Sequence, residues 1–308
     1  MIKRKIDLLK KGDTIAIINP AFKNSNPSAS LEILNKLKEE GYKIKIYKTF
    51  YLSNGYFSGT DLERATDINE AFLDKEVKAI LCMCGGYGLT RIINMLDYEA
   101  ISNNPKLIIG YSDITALINS IYFKCSFSTI HGLVGASLKN ADIDSLNSFF
   151  NLLTHKTKGM VLKNIKDEMI SLVDGIVEGE LVGGNMSLIN AMASSSYKID
   201  FTDKIVFIED VGEAAYRIDR YFSSLKLSGE LEKAKGFIFG YFTDCETYSG
   251  VSYLDVIKEY IMPLHKPTII GFECGHQLPF VSIPIGAKVR LDTYEKTITI
   301  LEEIYNED

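Results

Sequence analysis

Hydrophobic and polar positions alternate between two periods along the first half of the chain. TIAIIN (Thr14 to Asn19), KIKIY (Lys43 to Tyr47) and VKAILCMC (Val77 to Cys84) are short apolar or alternating runs and read as strands. Between them the apolar residues recur at helical spacing: Leu31, Leu34 and Leu37 before Gly41, then Leu62, Ala65, Ile68 and Phe72 after the loop YLSNGYFSGT. The third strand runs into Gly85, Gly86, Tyr87 and Gly88, and a helix is predicted through Ile92, Ile93 and Leu96 before Pro105. A short strand, STI, then ends at His131 and Gly132. Strands alternating with helices over short connections predict a parallel sheet covered on both faces.

KLIIGYSDITAL (Lys106 to Leu117) compresses this pattern into a strand, a tight turn at Gly110 and a helix whose face carries Ile114, Leu117, Ile118, Ile121 and Tyr122. Ser112 falls at the turn. Such a position lifts a hydroxyl off the sheet beside unpaired helix N–H groups, as a nucleophile requires. Plain helix capping by Ser112 or Asp113 accounts for the same stretch and is the commoner use of these residues.

From Lys139 to about Glu168 the periodicity weakens into polar stretches such as LLTHKTKG and LKNIKDE, read as an inter-domain passage. The division expected is therefore 1–138, a passage over 139–168, and 169–308. The last part offers glycine-broken strands in SLVDGIVEGELVGGN, a helix from about Ser187, the strand KIVFIED (Lys204 to Asp210), and a helix with Ala215, Ile218, Phe222 and Leu225 on one face. FIFGYF, a helix over 252–261, PTIIGFE and a hairpin turning at Thr293 to Lys296 complete it.

Composition narrows the function classes. The 308 residues are 46% hydrophobic, enough for sizeable cores, and carry 40 acidic against 34 basic residues, a net charge of −6. With no basic run beyond the short N-terminal ones, nucleic acid is not an expected partner. No stretch has the length and apolarity of a signal peptide or membrane span, so a cytoplasmic protein without membrane partners is expected. Five cysteines without a CxxC suggest reduced structural thiols; Cys82 and Cys84 would share a strand face, but neither metal nor other cofactor is assigned.

A serine nucleophile needs a base and a group to orient it, and the chain holds 4 histidines. His155 and His265 lie in polar or loop context and are expected to be solvated. His131 and His276, each following a strand, remain as bases; a site at a domain interface would let His276 face Ser112 across the cleft. IVFIEDVGE offers Glu209, Asp210 and Glu213 as the orienting acid, with Glu209 emerging from the most apolar strand of that half. A buried carboxylate is costly unless paired, whereas a solvated strand-end acid needs no such purpose. The GGYG turn lacks GxGxxG and GK[ST], so nucleotide binding is not indicated. Gly86 can instead bring a backbone N–H to a carbonyl and, with the Asp113 N–H, form an oxyanion hole worth roughly 3 kcal/mol per donor; a helix-entry turn explains the same glycine.

GGYGLTRIINMLDYEAI, GYSDITAL, STIHG, EGELVGGNMSLI, IVFIEDVGEAAYRIDR, GFECGHQLP and IPIGAKVRLD, in this order and spanning nearly the whole chain, resemble the LD-carboxypeptidase family of serine peptidases. The resemblance implies an α/β protein with a flavodoxin-like or Rossmann-like parallel-sheet N-terminal domain and a smaller β-rich α/β C-terminal domain, usually in a homodimer. It implies a triad of Ser112 as nucleophile, His276 as base and Glu209 as orienting acid. Relatives of this type are similar to muramoyl-tetrapeptide carboxypeptidases, which release terminal D-alanine across an L,D-peptide bond in murein peptides. A sister branch resembles microcin C immunity hydrolases, which cleave an amide between an acidic amino acid and a nucleotide.

The form GGYG-x-x-R, ending at Arg91, looks closer to the carboxypeptidase branch. The expected partner is thus a small peptide with a free C-terminal carboxylate, gripped by Arg91 in a two-point contact, with Tyr87 and Asn185 lining the cleft. GYSDI lacks the second glycine of GxSxG, so the general α/β-hydrolase elbow is not what matches. His131 falls at a family position near the cleft, with packing or substrate lining as its expected role. A non-catalytic peptide-binding protein on the same frame is the remaining alternative.

Overall fold

A computed structural model describes residues 3–307 of the chain. Two compact units are present: Met1–Lys156 with Ser282–Ile285 and Glu303–Asp308, and Thr157–Val281 with Gly286–Glu302. The first contains β1 (Thr14–Ile18), α1 (Pro27–Glu39), β2 (Lys43–Ile46), α2 (Asp61–Leu73), β3 (Val77–Cys82), α3 (Tyr98–Asn103), β4 (Leu107–Gly110), α4 (Thr115–Cys125), β5 (Thr129–His131) and α5 (Ile143–Thr154). The second contains β6 (Val161–Leu162), β7 (Ile170–Val173), β8 (Ile176–Asn185), α6 (Met186–Met192), β9 (Lys204–Val211), α7 (Ala215–Leu227), α8 (Glu230–Lys233), β10 (Gly236–Thr243), α9 (Tyr253–Ile261) and β11 (Thr268–Ile270). β12 (Ile283–Ile285) returns to the first unit, and β13 (Lys288–Asp292) and β14 (Thr297–Ile300) lie in the second.

The first sheet has the order β12-β5-β4-β3-β1-β2. Its strands pair in parallel except β12, which runs antiparallel to β5 with Ile283 opposite His131. Nearly continuous burial of β1, β3 and β4 matches their apolar runs, as expected of parallel strands covered on both faces. The second sheet has the order β6-β14-β13-β8-β9-β10-β11-β7, with a parallel core from β8 to β11 and antiparallel strands on either side. Among the described residues no helix is long and apolar enough to cross a membrane.

Three local readings of the sequence are corrected. The stretch expected as a passage holds α5, whose Asp142 side chain caps its start and whose Phe149, Leu152 and Leu153 are buried. Residues 282–285 and 303–308 belong to the first unit, so the division of the chain is not contiguous; an antiparallel edge strand can come from any later segment that reaches it. The helix expected through Ile92 and Leu96 is instead two 3-10 turns, Leu89–Arg91 and Ile93–Met95, with Ile92 at φ −119° closing the first and opening the second.

Leu62 is 66% exposed although α2 buries Ala65, Ile68 and Phe72. Each residue turns a helix by about 100°, so successive three-residue steps drift off the buried stripe. Arg64 occupies that stripe instead. Its side chain is fully buried; Nη1 donates to the carbonyls of Pro20 (2.8 Å) and Gly88 (3.1 Å), Nη2 to Asp61 (2.5 Å), and its guanidinium lies 4.5 Å over the Phe57 ring. One cation thereby holds the loops after β1 and β3 against the start of α2. Arg64→Leu leaves those carbonyls without their donor and should cost about 3 kcal/mol, lowering Tm by roughly 6–12 °C. Arg91→Leu, which breaks a surface pair with Asp61, should cost no more than about 1 kcal/mol in the same thermal-melt comparison.

Candidate active site

β4 ends at Gly110, where a Cβ would come within 2.8 Å of Ile114 Cγ2, so only glycine lets the chain fold back this closely. Tyr111 is extended (φ −144°, ψ −173°), and Ser112 has φ 64°. A left-handed serine costs roughly 1–2 kcal/mol and is retained only where surrounding structure enforces it. Neither the 3-10 turn Ser112–Ile114 nor α4 takes a side-chain cap, so capping does not explain the residue. A Cβ on Gly85 would lie 2.9 Å from Ser112 Cβ and 3.2 Å from its Oγ. The glycine loop after β3 therefore runs directly past the hydroxyl.

Asp113 turns inward from the same stretch. Its Oδ2 accepts the Leu89 N–H at 2.9 Å, and burial pushes its carboxyl up to about 6 against the pull of that bond. The serine turn and the glycine loop are thus tied to each other. Gly86 has φ 116°, and a side chain there would overlap the Phe22 ring at 2.4 Å. Tyr87 is 43% exposed and lies near Phe57 (5.9 Å between centroids) and Tyr56 (6.4 Å). The Arg91 fork is already engaged: Nε lies 3.1 Å from both Asp61 oxygens and Nη2 2.7 Å from Oδ2.

In the second unit Glu209, fully buried near the end of β9, lies 2.7 Å from His276 Nδ1. A carboxylate can only accept, so Nδ1 carries the proton and Nε2 is the ring nitrogen that carries the basic lone pair. Burial pulls the imidazole down, but the Glu209 hydrogen bond and the charges of Glu209 and Asp210 outweigh it, so its pKa lies above the ordinary value. Gly275 (φ 138°) makes the approach possible, since a Cβ there would meet Glu209 Oε2 at 3.0 Å. Asp210, pushed up to about 7 by burial and the neighbouring Glu209 charge, accepts from Asn185 Nδ2 (2.9 Å) and the Ser187 N–H (3.0 Å). Asn185 is 3% exposed, caps α6 through the Leu188 N–H, and pairs in register with Glu209. It supports the acid pair from behind.

His131 is fully buried with its ring 6.0 Å from that of Tyr111, whereas His155 and His265 are exposed. Burial pushes the Cys84 thiol up to about 11, and among the described residues no cluster of three or more His, Cys, Asp or Glu could hold a metal. Ser112, Gly86, Asp113, Tyr87 and Arg91 belong to the first unit; Glu209, His276 and Asn185 belong to the second. Arg64 was missed in the sequence, although a charge adjoining the apolar stripe of α2 was its visible sign. Glu273, buried in the loop after β11, gave no sign in the pattern.

Two family descriptions match the chain, "LD-carboxypeptidase N-terminal domain" over residues 15–132 and "LD-carboxypeptidase C-terminal domain" over 178–291. It is 37% identical over 297 residues to the "Probable murein peptide carboxypeptidase" of Bacillus subtilis (strain 168), covering 95% of this chain and 92% of that one. The solved structure of MccF in complex with glutamyl sulfamoyl guanosine superposes with a TM-score of 0.91 at 27% identity, covering 98% of this chain and 99% of the other. Muramoyltetrapeptide carboxypeptidase from Oxalobacter formigenes gives 0.79 at 27% identity, covering 92% and 97%. With both halves matched and the relatives covered nearly end to end, the chain belongs to the LD-carboxypeptidase family and is a hydrolase of the serine carboxypeptidase type.

Proposed function

We propose that the protein releases the terminal D-alanine of a murein tetrapeptide by hydrolysing its L,D-peptide bond through an acyl-enzyme. Ser112 is the nucleophile, His276 the general base and Glu209 its orienting acid. The observation that carries this reading is the buried 2.7 Å contact between His276 Nδ1 and Glu209, which leaves Nε2 as the basic nitrogen. The left-handed backbone of Ser112, with no capping role to account for it, supports the nucleophile.

Ser112 Oγ attacks the scissile carbonyl and gives its proton to His276 Nε2, while Glu209 holds Nδ1–H and stabilises the imidazolium. The Gly86 and Asp113 N–H groups receive the oxyanion. Collapse expels the D-alanine amine with the proton from His276. Water, deprotonated by the same imidazole, then hydrolyses the acyl-serine. Tyr87 supplies an exposed ring at the rim, and Arg91 takes the substrate carboxylate in exchange for Asp61, an acceptor of the same chemistry. Asn185 acts through Asp210 rather than on substrate. A cytoplasmic homodimer is proposed as the working form.

A second reading is favoured by the TM-score of 0.91 with MccF bound to glutamyl sulfamoyl guanosine: cleavage of an amide joining an acidic amino acid to a nucleotide. Pure protein incubated separately with murein tetrapeptide and with aspartyl sulfamoyl adenosine should release D-alanine from the first; product from the second alone would replace the first reading. Ser112→Ala and His276→Ala should each lower kcat by roughly 10⁶-fold and Glu209→Ala by roughly 10⁴-fold, with far-ultraviolet circular dichroism unchanged. Near-normal turnover by Ser112→Ala would remove the triad.

The pH profile follows from the raised His276 pKa. Only neutral imidazole accepts the serine proton, so kcat/KM should rise with pH through an inflection above 6.5. Glu209→Gln removes the charge that favours imidazolium and should move the inflection of the residual activity to lower pH.

A further inference from the structure

The loop carrying His276 has neither helix nor strand over residues 271–281, yet it must hold an imidazole against a buried carboxylate. Its hydrogen bonds explain how. Phe272 N–H donates to Phe239 O (3.0 Å), Tyr241 N–H to Cys274 O (2.9 Å), and Val281 N–H to Glu273 O (2.6 Å), the last closing the loop at its base. A Cβ on Gly240 would stand 2.3 Å from Cys274 O, so β10 and the loop are packed backbone to backbone.

Glu273, three residues before His276, is fully buried. Its carboxylate accepts consecutive backbone N–H groups: Ile165 at 2.5 Å, Lys166 at 3.2 and 3.1 Å, and Asp167 at 2.8 Å. Successive amides converging on one anion form a concave nest, and such charge-assisted bonds are about twice as strong as neutral ones. Asn164 completes the strap, accepting the Glu273 N–H (2.9 Å) and donating to Gly271 O (2.7 Å). The polar segment LKNIKDE therefore grips the base-bearing loop at Gly271 and at Glu273.

We infer that Glu273 is a positioning residue for His276: its carboxylate in the 165–167 amide nest fixes the loop that presents the imidazole to Glu209. The inference rests on His276 being the base only for its effect on turnover; the effect on the ring's environment does not depend on it.

Full-length protein with ¹⁵N-labelled histidine should be titrated by imidazole NMR without substrate, the His276 signal being assigned with His276→Gln. Glu273→Gln keeps one carbonyl acceptor and Glu273→Ala keeps none, so the His276 pKa should fall toward 6.5 in the order wild type, Gln, Ala, with the signal broadening as the Glu209 contact loosens. Over the same series kcat should fall by roughly 10-fold and then 100-fold while KM stays within about threefold. Asn164→Ala, which loosens the strap from its half-exposed side, should shift the signal in the same direction and serves if the Glu273 variants do not fold. An unchanged His276 titration in folded Glu273→Gln, or in Asn164→Ala where that variant is used, would overturn the inference. A shifted titration with full activity in His276→Ala would instead uphold the positioning and discard His276 as the base.

Discussion

A carboxylate with no access to water near the end of β9 is the constraint from which the second unit is organised. Leaving Glu209 buried and unpaired would cost several kcal/mol, so the chain must bring a donor to it. The loop after β11 does so with His276, and Gly275 allows the backbone to come close enough. An irregular loop cannot hold this position by its own regular hydrogen bonding. A second buried carboxylate, Glu273, anchors it to backbone amides. Asp210 adds a third acid beside the first, held by Asn185 and the start of α6, and the concentrated negative charge favours the protonated imidazole.

The first unit solves its positioning problem by strain. Ser112 is forced into a left-handed conformation by a turn in which Gly110 and Gly85 allow backbone and side chain to meet at distances no Cβ would permit. Asp113 fastens the glycine loop to that turn, and the fully buried Arg64 fastens its far side at Gly88. A rigid surround of this kind is what keeps an unfavourable backbone angle populated. The contrast is physical: a small hydroxyl is aimed by its own backbone, whereas an imidazole is aimed by the carboxylate that holds its Nδ1.

The sequence by itself determined the alternation of strands and helices, because apolar periods of about two and 3.6 residues reflect which faces must leave water. β1, β3, β4, β9 and α7 appear where these periods place them. It also placed Ser112, two histidines (His131 and His276) and three acids (Glu209, Asp210 and Glu213) among the candidates, since an α/β sheet gathers its chemistry at strand ends and histidines are few. The choice of His276 and Glu209 came from the resemblance to the family. What periodicity could not register was any interaction made by a single residue with a distant segment. The Arg64 contacts with Pro20 and Gly88 and the capture of Arg91 by Asp61 depend on partners 24 to 44 residues away in no repeating pattern. Glu273 is the extreme case. Its partners lie more than 100 residues earlier, in a stretch whose polarity reads as a passage. Only the tertiary structure decided that those polar residues face a buried anion, because a backbone N–H is present at nearly every position and becomes a binding group only when the fold points several at one place.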